Sequence, residues 1–98
     1  MNKSIMISQP MKGKTNEQIR QEREELVKAL ENEGFNVIDT IINDFDGKID
    51  PVFYLVRSLE YLANSDCVYF MKGWEKSRGC KIEHQVAVEY GKEVIYGN

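Results

Sequence analysis

Glu83 is the residue of this sequence best placed to do chemistry. It follows a polar turn, Gly73-Trp74-Glu75-Lys76-Ser77-Arg78-Gly79, and opens a helical pattern that runs from near Gly79 to Gly91. Val86, Ala87 and Tyr90 stand at i+3, i+4 and i+7 from it, so its carboxylate borders an apolar stripe. In a first helical turn the macrodipole favours the ionised form by ~0.3–1 kcal/mol. A carboxylate kept ionised suits a nucleophile or a charge stabiliser better than a general acid. The plain alternative is a glutamate that only serves the helix terminus. His84 falls near Val88, where a surface histidine is the simpler reading. Trp74 either stacks on a base or covers the rim of a crevice.

A second loop carries possible binding chemistry. Ser8 to Thr15 reads Ser-x-x-x-x-Gly-Lys-Thr, one residue short of a Walker A loop. The missing first glycine and the internal Pro10 argue against a wrapped phosphate nest, and no strand ends in a magnesium-binding aspartate. A looser role fits better, with Lys12, Gly13, Lys14 and nearby amides holding a monophosphate at a helix N-terminus. The competing reading is a capped turn that needs Gly13 for its backbone. Metals find little support. Cys67, Cys80 and His84 lack zinc spacing. The aspartates at 39, 44, 46 and 50 hint at a calcium loop, but its first and twelfth positions would be Ile42 and Phe53, which supply no ligand. No metal and no cofactor is expected.

The elements that must position these residues alternate in type. Ser4 to Ile7 and Phe35 to Ile38 read as strands around a helix capped by Thr15 and Gln18, a capping box. Ile19, Leu26 and Leu30 form its apolar face, and the Glu and Arg residues between read as a solvated face. Asp50-Pro51 starts a second helix, in which Val52, Leu55, Val56, Leu59 and Leu62 repeat at helical spacing. Cys67 to Met71 is a buried strand, and Glu93 to Tyr96 makes a fourth after the last helix. Alternation of this kind predicts a single α/β domain over residues 1–98. Its fold is three-layer and flavodoxin- or Rossmann-like, a four-stranded parallel sheet with helices on both faces. Strand order 2-1-3-4 puts the switch point between the first and third strands, where the Ser8–Lys14 and Gly73–Gly79 loops meet.

Composition bounds the partners. The chain has 98 residues and a net charge of −3, which gives no footprint for a nucleic-acid polymer. No apolar run approaches the ~20 residues of a membrane span and no signal-peptide pattern opens the chain, so a cytoplasmic protein is expected. A domain of this size buries only roughly 60–70% of its unfolded surface, and a deep private pocket is hard to build in one subunit. Tyr54 and Tyr61 lie beside the apolar stripe of the second helix. A homodimer or higher homo-oligomer is therefore expected, with a neighbour closing the site.

Taken together, Asp66-x-Val68-Tyr69-x-x-x-Gly73-Trp74-x-x-Ser77-x-Gly79-x-x-x-Glu83-x-x-x-Ala87-x-x-x-Gly91-Lys92 resembles the C-terminal half of the nucleoside 2-deoxyribosyltransferase-like superfamily. Ile7-Ser8-Gln9-Pro10-Met11-x-Gly13 resembles an uncharacterised bacterial and phage branch of it, known only as a domain of unknown function. The resemblance implies a flavodoxin-like sheet and chemistry on the N-glycosidic bond of a nucleoside or nucleotide. It implies that Glu83 attacks the anomeric carbon to form a covalent deoxyribosyl-enzyme, which water or a second base resolves. Ser77 matches the serine that contacts a 5′-phosphate in relatives. The substrate-binding set it implies is Ser8, Gln9, Pro10, Met11, Gly13, Gly73, Trp74, Ser77 and Gly79, with Ser58 and Asp66 in support. Two positions depart from the pattern: relatives carry an aspartate where Ser58 stands, and a glycine where Gln9 stands. The alternative function is a non-catalytic nucleotide-binding or sensing module.

Overall fold

The structure, a computed structural model, describes residues 2–38 and 50–97. The aspartates at 39, 44 and 46, and the calcium-loop register drawn through them, lie outside the described residues. Strand β1 (Ser4–Ser8) leads into helix α1 (Asn16–Asn32) and strand β2 (Asn36–Ile38). Helix α2 (Pro51–Ala63), strand β3 (Cys67–Phe70), helix α3 (Arg78–Glu89) and strand β4 (Glu93–Tyr96) complete the order. One 3-10 turn, Trp74–Lys76, sits between β3 and α3. All pairings are parallel and the strand order is β2-β1-β3-β4, the expected flavodoxin-like topology.

The sheet has this form because β1 is buried on both faces. Ile5, Met6 and Ile7 are each almost wholly inaccessible, as a central parallel strand requires. Ile5 and Ile7 face α1, where they meet Leu30, Leu26 and Val27. Met6 points the other way, into a cluster with Val68, Phe70, Leu62 of α2 and Ala87 of α3. Among the described residues, α1 thus covers one face of the sheet, and α2 and α3 cover the other.

Local signals fix where the helices begin. The Thr15 hydroxyl accepts from Gln18 N at 3.1 Å, and Gln18 Oε1 accepts from Thr15 N at 2.9 Å, closing the capping box. Asp50 Oδ1 accepts from Val52 N at 2.9 Å, with Pro51 at the first helical position. Ser77 caps α3 through Cys80 N at 3.4 Å.

The N-terminal ends of the strands are stitched by polar contacts. Asp66 Oδ2 accepts from Ser4 N at 2.9 Å and Ser4 Oγ at 3.1 Å. These two bonds hold its carboxyl below the usual range. The Cys67 thiol donates to Glu93 Oε2 at 3.0 Å, and Lys3 Nζ pairs with the same oxygen at 2.9 Å. Asp66 is therefore a strand-end staple, at the opposite edge of the sheet from the loop crevice. Its expected support of the site is corrected on that ground.

Candidate functional site

At the C-terminal end of β1 a cleft of about 650 Å³ opens, lined by residues of all three helices. Ile7 and Gln9 come from β1 and its loop, with Met11 and Lys12 beyond them. Helix α1 contributes Arg23; α2 contributes Pro51, Val52, Tyr54, Leu55 and Ser58; Asp50 stands at the head of α2. Ser77, Arg78, Gly79, Cys80, Ile82 and Glu83 form the α3 wall. This volume falls in the range of small-molecule sites, and an apolar wall with a few polar groups is their usual makeup. The switch point between β1 and β3 is where such a site belongs.

Glu83 lies at the floor and is only 7% exposed. Helix α3 starts at Arg78, so Glu83 is its sixth residue and lies beyond the first turn. The dipole that was expected to keep it ionised acts mainly within that first turn. Burial prevails instead and pushes its carboxyl up from 4.5 to about 7, while the nearby Ser8 hydroxyl opposes the rise. No hydrogen bond closes between the two: Ser8 Oγ and Glu83 Oε2 are both buried without a partner. Glu83 is thus poised between acid and base near neutral pH. Gly79, one turn earlier, lies beside the other carboxylate oxygen, with a Cβ there falling at ordinary contact distance, 4.0 Å, from Glu83 Oε1. The Cys80 thiol beside it is buried, and burial raises its pKa, which keeps it a neutral thiol.

The cationic side of the cleft was not read from the sequence. Arg23, assigned there to a solvated face, is 2% exposed and lines the cleft. It occupies the gap in the stripe Ile19, Leu26, Leu30, at i+4 from Ile19, and that gap was the signal available. Its guanidinium donates to Gln9 Oε1 at 3.4 Å, and Gln9 Nε2 donates to Ile19 O at 2.9 Å. Gln9 therefore orients a buried arginine. Lys12 and Arg78 line the same cleft. The Gly13 cradle is corrected: Gly13, with φ +81°, serves the Met11–Lys14 turn and does not line the cleft. Lys14 is tied to Glu22 at 3.0 Å and 3.1 Å.

Of the other expected site residues, Gln9, Met11, Ser58, Ser77 and Gly79 share the cleft with Glu83. Ser8 lies beneath it. Pro10 and Gly73 mark where the two loops touch, as a Cβ on Gly73 would lie 3.9 Å from Pro10 Cγ, but neither lines the cleft. Trp74 is placed elsewhere. Its indole stacks on His84 at 4.2 Å and packs near Phe70 at 5.4 Å and Tyr96 at 5.8 Å. It does not line the cleft: half-buried, it packs against the core cluster of Phe70. His84 is corrected with it: half-buried, it meets the Tyr96 hydroxyl at 2.6 Å through Nε2. Among the described residues no group of His, Cys, Asp and Glu is arranged to hold a metal. No described helix is long and apolar enough to cross a membrane.

Comparison with known proteins adds one result. A family model for a domain of unknown function, DUF4406, matches residues 3–96. No curated protein matches the chain.

Proposed function

We propose that this chain, which belongs to the DUF4406 family, processes nucleosides or nucleotides at the N-glycosidic bond. The observation that carries the reading is a buried carboxylate, Glu83, with one oxygen lacking any partner, at the floor of a nucleotide-sized cleft. Met11, Val52, Leu55 and Ile82 offer an apolar wall for a base, and Lys12, Arg23 and Arg78 offer charge for a phosphate. Ser77, Gly79 and Glu83 share one wall, which supports a place in the nucleoside 2-deoxyribosyltransferase-like superfamily.

In the reaction, the Glu83 carboxylate attacks the anomeric carbon of a deoxynucleoside or its 5′-monophosphate. The base leaves with the bonding electron pair and takes up a proton. The glycosyl ester is then opened by water, or by a second base, and Glu83 is released as carboxylate. The negative charge also stabilises the oxocarbenium-like transition state, as in retaining glycosidases. Water as the acceptor makes the enzyme a hydrolase; a base makes it a transferase. Chromatography for free base after incubation with a deoxynucleotide panel tests this directly.

A non-catalytic nucleotide-binding module is the second reading. It is favoured by Ser58, which lines the cleft where the resemblance leads one to expect an aspartate. Among the described residues the only other carboxylate lining the cleft is Asp50, and it is engaged in capping α2. Binding by calorimetry with no base released from any nucleotide would favour this module.

The phosphate gives the sharper binding test. Charge-assisted hydrogen bonds contribute ~1.5–3 kcal/mol when well made, so a 5′-monophosphate should bind at least roughly tenfold more tightly than its nucleoside. Calorimetry with both ligands measures the ratio, and equal affinities would remove the phosphate from the reading.

The partner proposed alongside is a second copy of the chain. On α2, Phe53 and Val56 are 62% and 48% exposed outside the cleft lining, and Val52, 55% exposed, lines the cleft itself. Burying them between copies closes the cleft from water. Light scattering at tens of micromolar should report a dimer or larger, and a monomeric mass would sink this part.

A further inference from the structure

We infer that Ser8 is a positioning residue for Glu83, the hydroxyl that steadies its carboxylate once the proton leaves. The inference deepens the proposed function and rests on Glu83 being the reacting group. Ser8 closes β1 and, by strand alternation, shares the side of Met6, facing α3. Ser8 is 1% exposed and Glu83 is 7% exposed, so water reaches neither freely. Both Ser8 Oγ and Glu83 Oε2 lack a hydrogen-bond partner. The large majority of buried hydroxyls are bonded, so an unpartnered one at this position calls for an explanation. Two orphaned atoms from neighbouring elements point to a bond between them that is stronger when Glu83 is ionised.

The chemistry of the pair explains that dependence. A protonated Glu83 can offer Ser8 Oγ only a neutral bond, its own O–H donating, which is weaker than a charge-assisted one. An ionised Glu83 is a strong acceptor, and the Ser8 hydroxyl has a free proton to donate. The direction of the Ser8 effect on Glu83, opposing the rise caused by burial, agrees with the geometry. Other groups face the same space: Cys80 and Arg78 on α3, Lys12 on the first loop, Arg23 on α1 and Asp50 at the head of α2. Of these Cys80 stands against both Ser8 and Glu83, and its thiol stays neutral. Ser8 therefore sets the pH at which the cleft holds a carboxylate.

Titration of Glu83 by carbon NMR on the ligand-free, full-length protein tests this. The wild-type midpoint should lie near 7. Ser8→Ala should move it upward by about one pH unit, a tenfold loss of carboxylate at a given pH. Ser8→Thr keeps the hydroxyl and should restore the wild-type midpoint. Ser8→Cys keeps the volume with a weaker donor and should fall between, which covers the case of a threonine that does not fit. An unchanged midpoint in Ser8→Ala overturns the inference. So does an equal shift in the alanine, threonine and cysteine variants, because that marks packing alone. The readout needs no substrate, so its failure is distinct from a failure to release base.

Discussion

Glu83→Gln should release base at least roughly a thousandfold more slowly than wild type, a loss of ~4 kcal/mol in transition-state stabilisation. The amide nearly preserves volume and reach, so nucleotide binding should survive while attack on the anomeric carbon does not. The same variant carries a second signature, in stability. Burial raises the Glu83 carboxyl from 4.5 to about 7, so the folded state holds a proton that the unfolded state has lost across that interval. Stability is unaffected below the unfolded value, falls as pH rises through the interval, and levels off above about 7. The gap corresponds to a cost of about 3 kcal/mol. Glutamine has no proton to lose, so its stability should stay flat over the same interval and exceed that of wild type above it. Base-release kinetics and urea melts on one pair of proteins read both effects. Wild-type release rates in the variant would reduce Glu83 to a buried helix residue.

The largest expected effect on folding belongs to Phe70→Ala. Phe70 ends β3 with none of its surface exposed, and its ring meets Trp74 at 5.4 Å, His84 edge-on at 5.0 Å and Tyr96 at 6.2 Å. Removing a buried phenylalanine costs ~3–5 kcal/mol through lost transfer energy and the cavity left behind. A domain of this size has a total stability of about 5–15 kcal/mol. The urea midpoint should fall by roughly 2 M, given slopes of about 1–3 kcal/mol per molar. Trp74, the only tryptophan, reports the transition because its indole lies against the vacated space. A midpoint shift below roughly 0.5 M would show that the cluster adds little to the core.

Most of the architecture was legible because the deciding signals are local. The Thr15–Gln18 box, Asp50-Pro51 and the apolar runs at β1 and β3 each act within a few residues, and each appears where its spacing implied. The placement of Glu83 on the cleft-facing helix was legible for the same reason. Its ionisation was not, because burial depends on what β1 and α2 bring over it. Trp74 and His84 were misplaced on similar grounds: a ring beside a glycine turn can face either side of α3, and Phe70 decides which. Asp66 precedes β3 and so sits at the end of the sheet where ligands do not bind in this topology. Arg23 escaped notice because a charged residue in an apolar stripe was counted with its exposed neighbours.

The strand order has a kinetic consequence. β1 precedes the other described strands in the chain and is one of the two central ones, and Ser4 bonds to Asp66 across 62 positions of chain. Until β3 is available, β1 can pair, among the described residues, only with the three-residue β2, and the apolar side chains of Ile5 and Met6 lack half their cover. Closing that long loop costs entropy before the central contacts repay it, so folding belongs with the slower, topology-limited domains. While β3 is still missing during synthesis, β1 is therefore a half-paired apolar ribbon, the kind of transient edge that invites aggregation.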